Sequence, residues 1–221
     1  MRLLIVDEEI IPGGVETLRR RLIPALAKEV EAIVWVLPAF AVERFRDLAG
    51  GNVIIETANT PSGLPHAIEG IARRMGHPRG PLDKRLRLLA KRHRCDVCLA
   101  TCLLSQPMPR IDIPVAGLVS DVNPGLPMQV VDNIGYWIDR SALTLAVSEF
   151  TASELKRMRP SRSDKIHAMP LAVPHDARVT PPARRGSFHY SGAPNPHKGH
   201  LTLLKAALGL AARGLDYRLT L

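Results

Sequence analysis

Two hydrophobic rhythms alternate along the chain, and this alternation narrows the fold more than any other feature. Leu3 to Val6, "AIVWVL" (32 to 37), "NVIIE" (52 to 56), "DVCLAT" (96 to 101), "IPVAGLV" (113 to 119) and "LTLAVS" (143 to 148) are short apolar runs. Runs of that length without alternation suit strands covered on both faces. Between them the apolar positions recur at threes and fours, as in Val15, Leu18, Leu22, Ala25, Leu26 and Val30, which is the spacing of a helix face. The same reading predicts helices over 64 to 75, 82 to 91, 128 to 139 and 151 to 158. Strands alternating with helices imply an α/β fold built on a Rossmann-like open parallel sheet. With 46% apolar but only 4% aromatic residues, the packing must be aliphatic, which fits helices on a sheet.

After Val173 the texture changes. "VPHDARVTPPARRGS" has three prolines and no apolar period, so 174 to 186 reads as a linker between a first domain, 1 to 173, and a second unit, 187 to 221. That unit holds a strand "FHYSG", a turn "APNPHKG", a helix over 200 to 213 and a strand "YRLTL". A single βαβ unit cannot bury its own sheet, so it reads as the truncated opening of another domain.

The formal charge is +9, which favours anionic partners. It is concentrated between Arg73 and Arg94, where nine Lys or Arg accompany one acid, Asp83. In this stretch Leu82, Leu86 and Leu89 form a stripe flanked by Lys84, Arg85, Arg87, Lys91 and Arg92. Two readings stand: a basic amphipathic helix lying on an anionic membrane surface, or a core-facing stripe with a solvated basic face. Nucleic acid is disfavoured, because no aromatic side chains interleave with the cations to stack bases. The N-terminus lacks the apolar length of a signal peptide, and no run reaches a membrane span. A cytoplasmic chain, peripheral on the inner face of a membrane, is expected. Cys95, Cys98 and Cys102 are an odd trio with no second pair at zinc spacing, so reduced core thiols are expected and no metal. Strand alternation would point Cys95 and Cys98 to opposite faces.

Gly13 and Gly14 stand between the first strand and the first helix, at the carboxyl end where doubly wound sheets hold ligands. They make either a plain tight turn or a close approach of backbone amides to an anion. Glu16 suits the first turn of a helix with or without a ligand. Of Arg19, Arg20 and Arg21, at least one faces solvent and none is expected to act in chemistry.

Five stretches, in order, resemble the family 4 glycosyltransferases of the two-domain GT-B fold: "PGGVETLRRRLIPAL", "IPVAGLVSDVNPGLP", "VSEFTASELKRM", "DKIHAMPLAVP" and "FHYSGAPNPHKGHLTLLKAA". The resemblance implies an acceptor-side domain followed by the start of a donor domain. The reaction it implies moves a sugar from a nucleotide-diphosphate sugar to an acceptor hydroxyl, with retention and without a metal, in polysaccharide or glycolipid biosynthesis. The nucleotide sugar is then a substrate rather than a cofactor, and the acceptor a glycan or a lipid-linked one. Gly13, Gly14, Gly192, His197 and Lys198 would hold the donor phosphates, with Lys198 stabilising the departing diphosphate. An exposed lysine at a helix start is the plain alternative for Lys198. Asp121 would be the catalytic carboxylate or, equally, a turn cap. Glu16, Ser120 and Glu149 fall on the acceptor side.

The chain departs from the family pattern at Ser120, where a histidine precedes the aspartate, at Ala193, where many members carry an arginine, and at His197, where related members carry an arginine. These departures keep open a second reading, a non-catalytic glycan- or anion-binding protein of the same fold. On the transferase reading the 221 residues lack most of the donor site and are expected to be inactive alone.

Overall fold

The computed structural model describes residues 1–7, 14–58, 81–101, 108–120, 122, 128–170, 186–190 and 198–220. The chain divides into two compact units, Met1–Leu171 and Ala172–Leu221.

The first unit is a seven-stranded sheet whose strands all run parallel, in the order β3-β2-β1-β4-β5-β6-β7. The strands are β1 (Arg2–Val6), β2 (Ala32–Pro38), β3 (Val53–Ala58), β4 (Val97–Thr101), β5 (Val115–Val119), β6 (Leu143–Ala146) and β7 (Ile166–Ala168). Every residue of β2 is buried, as its unbroken apolar run requires of a strand flanked on both sides and covered on both faces. From β1 the winding steps outward to β2 and β3, and the chain then returns to β4 on the other side of β1. The gap between the tips of β1 and β4 is therefore the topological switch point.

Two cores sandwich the sheet. On one face Leu4, Val6, Val34, Val36, Cys98 and Ala100 pack with residues of α3 (Pro81–Arg92), α4 (Met128–Arg140) and α5 (Glu149–Met158). On the other, Leu3, Ile5, Ile33, Trp35 and Leu37 pack with α1 (Gly14–Ala27), the short helix α2 (Ala39–Val42) and the 3-10 turn Glu43–Leu48. Trp35 and Phe45 meet in a tilted contact with ring centroids 4.8 Å apart. Gly117 in β5 answers a packing need, since a Cβ there would lie 3.2 Å from the ring of buried Trp137.

The stripe of Leu82, Leu86 and Leu89 is buried in the first core, so it is the core-facing alternative that the fold realises. Three of the five cations flanking the stripe, Arg85, Arg87 and Arg92, are also engaged. Glu56 of the edge strand β3 lies 3.6 Å from Arg85, 3.9 Å from Arg92 and 3.4 Å from His93. Arg87 pairs with Asp112 at 3.6 Å. Leu88 is exposed and, with Lys84, Lys91 and Arg94, lines a groove of about 510 Å³. Among the described residues, no helix is long and apolar enough to cross a membrane.

One expectation is corrected. Cys95 and Cys98 are free thiols buried in the same core, not on opposite faces. Cys95 precedes β4 and belongs to the C-terminal cap of α3. Arg94 takes a left-handed φ of 52°, and the Cys95 amide donates back to Ala90 at 2.8 Å, so strand alternation does not govern that side chain. Burial pushes the Cys95 thiol above its ordinary value, opposed by nearby Arg2 and assisted by Asp96.

In the second unit β8 (Ser187–His189) and β9 (Arg218–Thr220) pair in parallel around α6 (His200–Ala212). No residue of α6 is buried, and Leu201, Leu204 and Leu208 are exposed. The predicted helix over 64 to 75 lies outside the described residues, as does the predicted linker except Gly186. Strand β7 and the 3-10 turn Pro160–Lys165 before it fall in segments that sequence periodicity does not mark, being too short to show a period.

Candidate functional site

The tips of β1 and β4 carry a buried polar cluster that the sequence reading missed. Asp7 follows β1 and is 1% exposed; Arg19 of α1 is 0% exposed. Arg19 grips Asp7 side-on, Nε donating to Oδ2 at 2.8 Å and Nη2 to Oδ1 at 2.6 Å. Trp35 Nε1 donates to Oδ2 at 2.8 Å, and Thr101 Oγ1, at the end of β4, donates to Oδ1 at 2.5 Å. Arg19 Nη2 also reaches Thr101 Oγ1. Four donors thus converge on one carboxylate, and the two opposite charges are paired directly. Arg19 Nη1 alone has no hydrogen-bond partner among the described residues, although it is buried.

The reason for this arrangement is readable in the helix. A helical side chain leans toward the helix N-terminus, so an arginine in the second turn of α1 reaches the strand tips. Arg19 sits four residues after Val15 and four before Ile23, on the apolar stripe. An arginine in that register beside an aspartate ending the first strand was the signal available. Of the three consecutive arginines, Arg20 instead turns outward to Asp47 at 2.9 Å and to the Arg44 carbonyl.

The predicted site residues fall into distinct environments. Gly14 is the first residue of α1, exposed, and a Cβ there would meet nothing within 4 Å. Among the described residues, then, neither crowding nor a positive φ demands glycine at this position. Glu16 is tied into ion pairs with Arg20 at 3.4 Å and Arg44 at 3.7 Å, which link α1 to the 3-10 turn after α2. Ser120 is exposed just beyond β5, and Glu149 is exposed at the start of α5. Ser148, at the tip of β6, caps α5 by accepting from the Thr151 amide at 3.1 Å, a role that explains it without nucleophilic chemistry. Ser120, Ser148, Asp7 and Thr101 all lie at the carboxyl ends of the strands. Gly13, Asp121, Gly192 and His197 lie outside the described residues.

Lys198 belongs to the second unit. It is exposed immediately before Gly199, whose φ of 75° makes it the N-cap of α6. Its carbonyl accepts from the Tyr190 hydroxyl, and Tyr190 meets His200 edge-on with centroids 4.8 Å apart. Among the described residues no group of three or more His, Cys, Asp or Glu is placed to hold a metal. No known family model matches the chain, and no curated protein matches it either.

Proposed function

We propose that the first unit is the acceptor-side domain of a sugar-nucleotide-dependent glycosyltransferase and that the second opens its donor domain. The observation that carries this reading is the sheet order, which puts the topological switch point at the tips of β1 and β4, where Arg19 of α1 reaches Asp7. Open parallel sheets bind ligands at that point, and a helix N-terminus there favours an anionic or hydroxyl-rich group. The buried Asp7–Arg19–Thr101 cluster fixes the strand tips there, and Arg19 Nη1 has no hydrogen-bond partner among the described residues. On this reading Ser120 and Glu149 border the acceptor, Asp121 orients the attacking hydroxyl, and Lys198 with its helix start stabilises the leaving diphosphate. The resemblance of five ordered motifs supplies the reaction class, with the nucleotide sugar as substrate.

The test is transfer of labelled sugar from a panel of nucleotide-diphosphate sugars to glycan and lipid-linked acceptors, using the full-length natural protein. Transfer that falls at least about a hundredfold in Lys198→Ala or Asp121→Ala is the expected result. Neither transfer nor nucleotide-sugar hydrolysis across the panel would overturn it. Ser120, standing where the family pattern has histidine, favours the second reading, a non-catalytic glycan- or anion-binding protein of this fold. Saturable glycan binding without turnover would select it.

A further inference from the structure

At the opposite edge of the sheet, the amino ends of β5, β6 and β7 surround a cavity of about 430 Å³. Its charged lining comes from three separate segments: Arg110 from the loop before β5, Arg140 from the end of α4, and Arg162 with Lys165 from the 3-10 turn before β7. Among the described lining residues the one carboxylate is Asp139. That carboxylate is already shared between Arg159 at 3.4 Å and Arg162 at 3.9 Å. Tyr136 holds two of the guanidinium groups near one another. Arg110 Nη2 donates to its hydroxyl at 3.3 Å, and the Arg140 guanidinium lies over its ring, 5.5 Å from the centroid.

From this placement we propose that the pocket binds a phosphate-bearing small ligand, a phosphomonoester or pyrophosphate group. Among the described residues, Arg140, Arg162 and Lys165 with one shared carboxylate leave an excess of positive charge in a concave space. Like charges gathered in this way repel unless a multivalent anion joins them. Guanidinium groups arriving from several directions suit the tetrahedral oxygens of phosphate, which accept several forked donors at once; a planar carboxylate offers only one such edge. The inference concerns the amino edge alone and does not rest on the transferase reading.

The experiment is calorimetric titration of the 221-residue chain with inorganic pyrophosphate at low ionic strength. The expected result is saturable one-site binding that weakens at least about tenfold in Arg140→Gln/Arg162→Gln. It should weaken less than about threefold in the charge-matched control Arg46→Gln/Lys156→Gln on other surfaces. If the double variant fails to fold, Lys165→Gln and amide chemical shifts of the unaltered chain serve in its place. Shifts centred on Arg110, Tyr136 and Arg162 support the site. Shifts centred on Lys84 and Lys91, or equal weakening in both double variants, would overturn it in favour of diffuse attraction. Binding to phosphatidic acid vesicles without pyrophosphate binding would overturn it in favour of a membrane surface.

Discussion

The two edges of the parallel sheet handle charge in opposite ways. At the carboxyl edge Asp7 and Arg19 are withdrawn from water and matched one to one, with Thr101 and Trp35 completing the carboxylate's partners. At the amino edge four cations line an open cavity with one carboxylate already divided between two arginines. The first arrangement fixes geometry: a buried pair holds only in one register, because each partner without the other is an uncompensated charge. The second leaves Arg140 exposed and Arg162 and Lys165 half-buried, so it demands less of the fold. Side chains of the same types thus specify structure at one edge and offer recognition at the other.

The sharpest way to break this contrast is Asp7→Ala. It leaves Arg19 buried without its counter-ion and is expected to cost about 3–5 kcal/mol of stability, measured by chemical denaturation. Adding Arg19→Met removes the stranded charge, so the double variant should lose less than the sum of the single losses, with a coupling of at least about 1 kcal/mol. Additive losses would show that the pair does not act as a unit. The next effect is steric. Gly117→Val pushes two methyl groups toward Trp137, whose ring already lies 3.2 Å from a Cβ built there. Overpacking of this kind costs about 1–3 kcal/mol, and an unchanged melting temperature would mean that α4 can lift off β5.

How much of this was legible beforehand follows from the length scale of each signal. The sheet could be read because "AIVWVL" or "DVCLAT" records burial on both faces residue by residue, and six such runs cannot all be helices. The leucine stripe of α3 was legible as a stripe but not as to what covers it. Leu82 facing a sheet and Leu82 facing a membrane give the same spacing. The Asp7–Arg19 pair was hidden because its members are 12 positions apart and each looks ordinary locally: an acid after a strand, an arginine among arginines. Only the return of β4 beside β1, bringing Thr101 to the same point across 94 positions, makes a site of them. Cys95 misled for a related reason. Alternation does not extend to a residue two positions before β4, where Arg94 has already turned the chain. The candidate residues Gly13, Asp121, Gly192 and His197 fall outside the described residues, so their part of the proposed site still rests on resemblance.

Smaller effects sharpen the comparison. Ser148→Ala removes the hydroxyl that accepts from the Thr151 amide at the carboxyl edge. A lost N-cap costs about 1 kcal/mol, and Ser148→Asp should restore most of it. Both are read from denaturation midpoints; a cost below about 0.3 kcal/mol would mean that water replaces the cap.

The smallest expected change runs the other way and lies at the amino edge. Arg94 closes α3 with a φ of 52°, a conformation that costs a side chain about 1 kcal/mol through contact of Cβ with its own carbonyl. Arg94→Gly relieves that strain but admits more freedom to the unfolded chain, and the second effect offsets part of the first. The net expectation is a gain of about 0.5 kcal/mol, accompanied by loss of one cation from the groove along α3. A contact that was holding the fold together could not be removed with a gain in stability. If Arg94→Gly instead destabilises by about 1 kcal/mol or more, Arg94 holds the end of α3 in place, and the division of labour between the two edges fails at this cation.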